Sequence, residues 1–448
     1  CCPSSASTST LHLGQGRGLI LYSAAVLIRL DCFTDAQLTF AQPPSLALLD
    51  IIVAMSVKLT IQQKLDFLPA IASITLAAFY GIITGLWRTE RQAKTLFLHI
   101  GYAVMRKVTA RLTPAQMQYA TPTSNKVYEQ YARKARIQAQ TVQLEHGALG
   151  HWIGDRDATN VMIWYHGGGF GLPANIGYFK FYAQLVQTLK TSNKSLAVFS
   201  LTYTLAPTET YPTQLKQAVA AARYILSTGR SPDTIFLGGD SAGGNLVSGV
   251  LSHLAHPHPQ IEPLPLPNNA KLAGAAMIAP WTLLDTEFPD QEIYHGGDLI
   301  TQAVAQPWAS AYIGKSPRDN YTDLSNAPVE WFKDFPVNRV LITGGGNEIL
   351  LPIILDFAAK FKEGFERVEL FVGHRECHVA PIYNLYLGDA TETAQGRRLR
   401  AGWLSWRSRR RSIVYNAVNI KAEILGVIYV VLHRRVQPYD LCDYQFDC

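Results

Sequence analysis

From Thr159 onward, short unbroken apolar runs alternate with stretches in which apolar side chains recur every three or four positions. The runs VMIWY (161–165), LAVFSLTY (196–203), TIFL (234–237), AGAAMIAPW (273–281), RVLIT (339–343) and VELFV (368–372) read as strands, since runs this short and continuous suit strands covered on both faces. Helical spacing marks PTQLKQAVAAARYILS (212–227), GNLVSGVLSHLAH (244–256) and IILDFAAKFKEGF (353–365). This alternation predicts an α/β fold with a mostly parallel central sheet and helices on both faces. No internal repeat is present.

Upstream the pattern changes. FLPAIASITLAAFYGIITGLW, Phe67 to Trp87, runs 21 residues without a charge, which as a helix is about 31 Å and enough to cross a bilayer. Pro69 sits near its start, where a helix tolerates it. RTERQAK follows, then an amphipathic stretch to about Gln118 and a turn at TPTSNK (121–126). We divide the chain into an extension of unknown role (1–54), a membrane-anchor segment (55–94, helix about 67–87), a catalytic body with cap elements (95–406), and a basic extension of unknown role (407–448). The first methionine is Met55.

Composition refines this division. The chain has 448 residues, 48% hydrophobic and 17% charged, enough for one large α/β core with appendages. Its formal charge of +6 is uneven: residues 397–448 hold ten Lys/Arg and four Asp/Glu, which leaves residues 1–396 neutral. A neutral body argues against a nucleic-acid-binding surface there. RRLRAGWLSWRSRRR (397–411) could contact an anionic surface. Its first part reads instead as a closing helix with Leu399, Trp403 and Leu404 turned inward. ILGVIYVVL, in the tail, is too short to span a bilayer. Of six cysteines only Cys377 lies in the body, so no disulfide framework holds the core, and Cys377 reads as a small buried filler. The Pro-rich link at 256–269 reads as a stiff surface loop. His253, His256 and His258 lack the cysteine or carboxylate companions of a zinc site.

The candidate chemistry begins at FLGGDSAGGNL (236–246). Ser241 stands between Gly239 and Gly243, after a strand and before a helix. A turn of this kind forces the serine into a strained backbone with its hydroxyl outward, beside the free amides of a helix N-terminus. Upstream, WYHGGGF sets Gly167, Gly168 and Gly169 after a strand, behind His166, and successive glycines let backbone amides reach a substrate oxygen.

HGGGF, YTLAP (203–207) followed by YP, and GDSAGG (239–244) resemble the hormone-sensitive-lipase group of α/β-hydrolases, over roughly residues 95–406. The single N-terminal anchor is similar to that of fungal steryl acetyl hydrolases and arylacetamide deacetylases. The resemblance implies the α/β-hydrolase fold and a helical cap built from the N-terminal helices and an insertion late in the sheet. It also implies a Ser–acid–His triad in that order, here Ser241, Glu348 and His378. The oxyanion hole would come from the loop Gly167, Gly168 and Gly169 with the amide of Ala242, Gly167 shaping the loop. His166, Gly239, Asp240 and Gly243 would support these motifs.

Two departures stand out. Thr202 replaces an acid before Tyr203, and Pro352 stands where an acidic pair often follows the triad acid. Glu348 occupies a position where the group more often has aspartate. It lies in a glycine-rich loop beyond RVLIT, whereas Asp334 precedes that strand and Asp356 falls within a helix. His374 reads as a solvated loop residue. Asp240 reads as a brace of the turn.

The reaction implied is hydrolysis of acyl esters of a small hydrophobic substrate, with no metal or organic cofactor. An acyltransferase or peptidase on the same triad, and a non-catalytic ligand-binding relative, stay open as alternatives. Membrane topology is divided. Arg88, Arg91, Lys94, Arg106 and Lys107 outnumber Lys58 and Lys64 across the helix, which favours a cytosolic body. The resemblance favours the lumen of the endoplasmic reticulum, and the sequons at Asn193 and Asn320 agree with it.

Overall fold

The computed structural model describes residues 57–284 and 296–405. The expected extensions at 1–54 and 407–448, and the side chain of Leu404, lie outside the described residues. The chain divides into a unit of Cys1–Leu404, which holds the sheet, and a second of Ser405–Cys448.

Among the described residues one eight-stranded sheet runs in the order β1-β2-β4-β3-β5-β6-β7-β8. Its strands are β1 (Thr141–Gln143), β2 (Leu149–Ile153), β3 (Asn160–Tyr165), β4 (Leu196–Thr202), β5 (Ile235–Asp240), β6 (Gly274–Ile278), β7 (Val340–Gly345) and β8 (Val368–Gly373). The six expected strands are present and mutually parallel, while β1 and β2 add an antiparallel edge. Central β5 is buried at every position and neighbours only parallel strands, which explains its unbroken apolar run. At the far edge, β8 leaves Glu369 exposed.

The helices are α1 (Ile61–Leu65), α2 (Phe67–Thr84), α3 (Leu96–Arg111), α4 (Pro114–Ala120), α5 (Ser124–Ala135), α6 (Ile176–Thr191), α7 (Thr213–Ser227), α8 (Ala242–Ala255), α9 (Ala305–Ile313), α10 (Leu351–Gly364), α11 (Ala380–Leu387) and α12 (Ala394–Ser405). The turn expected at 121–126 is shorter than its sequence suggests. The Thr123 side chain caps α5 by accepting from the Lys126 N–H, so the last three residues are already helical. On α12, Leu399 and Trp403 are buried as expected.

Among the described residues one stretch, Ile61–Trp87, is long and apolar enough to cross a membrane. Within α2 only Ala70 and Gly81 are buried, and Leu68, Leu76, Phe79, Tyr80 and Ile83 are exposed. Its narrow inner face lies along α3. A Cβ added at Gly81 would come within 3.1 Å of the Ala103 Cβ, so the glycine sets how closely the two helices approach.

Because β3 and β5 to β8 are parallel, the loops leaving them gather at one edge of the sheet. Met105 and Thr109 of α3, with residues from Leu299 to Trp308 in the chain between β6 and β7, line a cavity at that edge.

Candidate active site

Ser241 sits between β5 and α8 at φ 51°, ψ −118°, a conformation that costs on the order of 1–3 kcal/mol for a residue with a Cβ. Neighbouring bonds over-determine it. The Ser241 N–H donates to Ile278 O at 2.9 Å, and the Ser241 carbonyl accepts from Trp281 N at 3.0 Å and Asn245 N at 3.1 Å. The glycines two residues to either side are explained by mutual contact: a Cβ on Gly239 would strike the backbone of Gly243, and one on Gly243 would strike Tyr165. Ala242 is the first residue of α8, so its N–H has no acceptor within the helix.

The loop after β3 approaches the same point. Gly168 has φ 95°, a conformation that disfavours any side chain, and its carbonyl accepts from the N–H groups of Gly171 and Leu172. The Gly167 amide is turned away from the cavity, donating to Tyr178 Oη at 3.0 Å and Asp240 Oδ1 at 3.1 Å. The Gly167 amide is therefore already engaged, which leaves Gly168, Gly169 and Ala242 as the candidate donors of the expected oxyanion hole.

Asp240 ties this loop to the nucleophile turn. Fully buried, its Oδ1 also accepts from Trp164 Nε1 at 3.2 Å, and its Oδ2 accepts from Tyr178 Oη at 2.6 Å. Burial pushes its pKa up to about 6, although these donors and nearby His378 pull the other way. His166 stacks on Tyr203 at 4.3 Å and is held neutral by burial, its pKa lowered to about 4. The YTLAP segment supports the glycine loop from outside: Tyr203 Oη donates to His166 O, and Ala206 N donates to Phe170 O.

His378, after β8, and Glu348, after β7, are both buried, with His378 Nδ1 3.1 Å from Glu348 Oε1. Glu348 Oε2 accepts from the Gly345 N–H. Burial raises the Glu348 pKa, with His378 pulling against it. Burial acts against a charged imidazole, yet the hydrogen bond and charge of Glu348, with the charges of Asp298 and Asp240 behind it, hold the His378 pKa above the ordinary value. Ser241, Gly168, Gly169 and His378 line one cavity of about 70 Å³. Its remaining walls are mostly apolar and include Met105 from α3, Trp281, Leu299 and Trp308.

The competing carboxylates lie elsewhere. Asp334 and Asp356 are exposed. His374 is exposed and pairs with Glu90. Cys377 is buried, with its thiol pKa pushed up by burial. The histidines near the Pro-rich link are more buried than a surface loop implies. Ring nitrogens of His253, His256 and His258 pair with Glu262 O, Trp331 O and Tyr211 Oη. Among the described residues no cluster of three or more metal-ligating side chains occurs. Thr202 lies 3.1 Å from Nε2 of buried His151, so a neutral pair occupies the departed acid's place. Pro352 fits the first turn of α10.

Asp298 escaped sequence analysis. It stands in the cap segment before β7, within GGDLI, and no motif spacing relates it to Ser241.

Residues 162–382 match the family model for the alpha/beta hydrolase fold. Steryl acetyl hydrolase 1 of Saccharomyces cerevisiae is 24% identical over 252 residues, 50% of this chain and 54% of that protein. Lipase 2 of a Moraxella species is 31% identical over 179 residues, 35% of this chain and 40% of that protein. The chain spans about half the length of the curated relatives it matches. Among solved structures, a mutant of the esterase E40 has a TM-score of 0.55 at 21% identity, covering 70% of this chain and 98% of that one. The fold is that of an α/β-hydrolase. Within it, the match over residues 162–382 and the acetyl-hydrolase and lipase relatives support a likeness to the hormone-sensitive-lipase group.

Proposed function

We propose that this chain is a serine hydrolase that cleaves carboxylic esters of small hydrophobic substrates. The observation that carries the reading is the meeting of strained Ser241 and buried His378 at one cavity, with Glu348 on the far side of the imidazole. Neutral His378 takes the Ser241 hydroxyl proton as Oγ attacks the ester carbonyl. The N–H groups of Gly168, Gly169 and Ala242 hold the oxyanion, and Glu348 fixes the imidazole tautomer and stabilises its charged form. The C–O bond to the alcohol then breaks, with the alcohol leaving on the proton from His378. Water, deprotonated by the same imidazole, releases the acid from Ser241. The mostly apolar cavity walls favour a hydrophobic acyl or alcohol group. The names of the relatives point to the same ester class.

The exposed apolar face of α2 supports membrane attachment through the N-terminal helix. We place the catalytic body in the lumen of the endoplasmic reticulum, since Asn193 of one sequon is exposed at the end of α6. A mobility shift on endoglycosidase treatment supports that placement. Absence of a shift, with protease sensitivity in intact microsomes, reverses it.

The experiment for the activity is turnover of chromogenic acyl esters of graded chain length, with and without an alcohol acceptor. Release of acid at a rate independent of the acceptor supports hydrolysis. Acyl product on the alcohol would make the chain a transferase, and no turnover of any ester would overturn the reading.

A further inference from the structure

The carboxylate of Asp298 reaches both loops that carry the acid and base of the triad. Its Oδ1 accepts the backbone N–H of His378 at 2.8 Å, and its Oδ2 accepts the N–H of Ile349, the residue after Glu348, also at 2.8 Å. Oδ1 further accepts the N–H of Leu299 at 2.7 Å, which fixes the carboxylate to its own backbone. One side chain thus holds two loops from different strands of the sheet. Buried as it is, Asp298 receives three backbone donors on its carboxylate and, among the described residues, no side-chain donor. A carboxylate held by such fixed donors is rigid.

The segment that delivers Asp298 is itself held from two sides. Arg106 of α3 donates to the carbonyls of Gly296 and Asp298. A Cβ on Gly297 would strike Arg91 and come within 2.9 Å of the Asn347 Cβ, so the segment is wedged between the chain after α2 and the acid loop. Asn347 in turn donates to Glu90 O at 3.1 Å. The next residue along, Leu299, is already a wall of the reaction cavity.

We propose that Asp298 is a positioning residue for the reaction, a clasp through which the cap segment sets the spacing between Glu348 and His378. The proposal rests on the hydrolase reading above. The imidazole and its acid come from separate loops, and their 3.1 Å approach is controlled at the backbone by one carboxylate that belongs to neither. Because the clasp and the cavity wall are adjacent residues of one segment, a substrate group pressing on Leu299 acts on the segment that holds the triad together.

The test is Asp298→Asn, which keeps the shape but replaces one acceptor with a donor facing an N–H. In the folded variant we expect kcat for a soluble chromogenic ester to fall about 10- to 100-fold with KM changed by less than about threefold, as expected when a group acts on the transition state without binding the substrate. The acid limb of the kcat profile is expected to move to lower pH, since a negative charge that favours the imidazolium has been removed. Hydrogen exchange at the amides of Ile349 and His378 should quicken at least tenfold relative to the sheet. That measurement needs no substrate, so it reads the clasp even where wild-type turnover fails and the hydrolase reading falls. A folded variant with kcat within about threefold of wild type, an unmoved acid limb and unchanged exchange would overturn the proposal. If Asp298→Asn does not fold, Arg106→Gln decides, because it loosens the same segment and leaves the carboxylate. A fall in kcat with KM held supports the clasp, and unchanged kcat and exchange reject it.

Discussion

Glu348 Oε1 and His378 Nδ1 stand 3.1 Å apart with both side chains out of solvent. Glutamate is one methylene longer than the aspartate usual at this place, and its second oxygen accepts from the Gly345 N–H at the end of β7. Replacing the charge while keeping the shape, Glu348→Gln, should lower kcat by roughly 10³ or more, because the imidazole loses its tautomer control and the partner of its charged form. Asp356→Asn, on the exposed face of α10, should stay near wild type. Steady-state kinetics of the two variants side by side check this.

The same pair sets a pH dependence. Burial works against the charged imidazole, but Glu348, Asp298 and Asp240 face it and together raise its pKa above the ordinary 6.5. In the proposed mechanism attack on the ester requires neutral His378, so activity should be lost as the pH falls through this raised value. The acid limb of kcat/KM should therefore lie above the usual histidine range, and it should move down in Glu348→Gln. A pH profile of residual activity in both proteins measures the displacement.

Gly168 gives a steric test. At φ 95°, with the Leu172 Cβ 2.8 Å from where its own Cβ would sit, it accepts a side chain only if the loop shifts. Gly168→Val should cost on the order of 10² in kcat, about what one displaced oxyanion donor costs. Unchanged turnover would show that this loop does not face the reacting carbon.

Asp240 separates bracing from charge. In Asp240→Ala two buried donors, Trp164 Nε1–H and the Tyr178 hydroxyl, lose their acceptor, while the Gly167 N–H keeps only Tyr178 Oη. At about 1–3 kcal/mol for each unsatisfied group, thermal unfolding should show a large loss of stability. Asp240→Asn retains one acceptor oxygen for the two N–H donors and should lose much less. The pH dependence has a definite sign. The folded pKa, about 6, is raised above the ordinary 3.8, so the folded state binds this proton more tightly than the unfolded state does. Wild-type stability should then decline relative to Asp240→Asn as the pH rises from about 4 to about 6.

The features legible in the sequence are those in which one physical demand dominates a short stretch. Parallel strands covered on both faces need continuous apolar runs, so β3 to β7 stand out, while edge strand β8 keeps a mostly apolar run broken by exposed Glu369. The turn at Ser241 needs Gly239 because a Cβ there would strike the backbone of Gly243, and needs Gly243 because a Cβ there would strike that of Tyr165. β1 and β2 escape this logic: Thr141 to Gln143 is polar and short, and LGHWI breaks its apolar run with His151, whose burial depends on Asn125, Thr141 and Thr202 arriving from three other segments. Asp298 is invisible for a related reason. Its partners are backbone amides of residues 51 and 80 positions away, and amides leave no mark on residue type. The packing of α2 along α3 was likewise hidden, since a charge-free run looks the same whether one face or every face meets an apolar surroundings.

Ser241→Ala, assayed with a fluorophosphonate probe and with a chromogenic ester, bears on everything above. Ser241 and His378 line the same cavity. The expected result is complete loss of both probe labelling and ester turnover, with circular dichroism and thermal unfolding close to wild type. A folded Ser241→Ala protein that still labels, or still hydrolyses the ester at the wild-type rate, would contradict the assignment of Ser241 as the nucleophile.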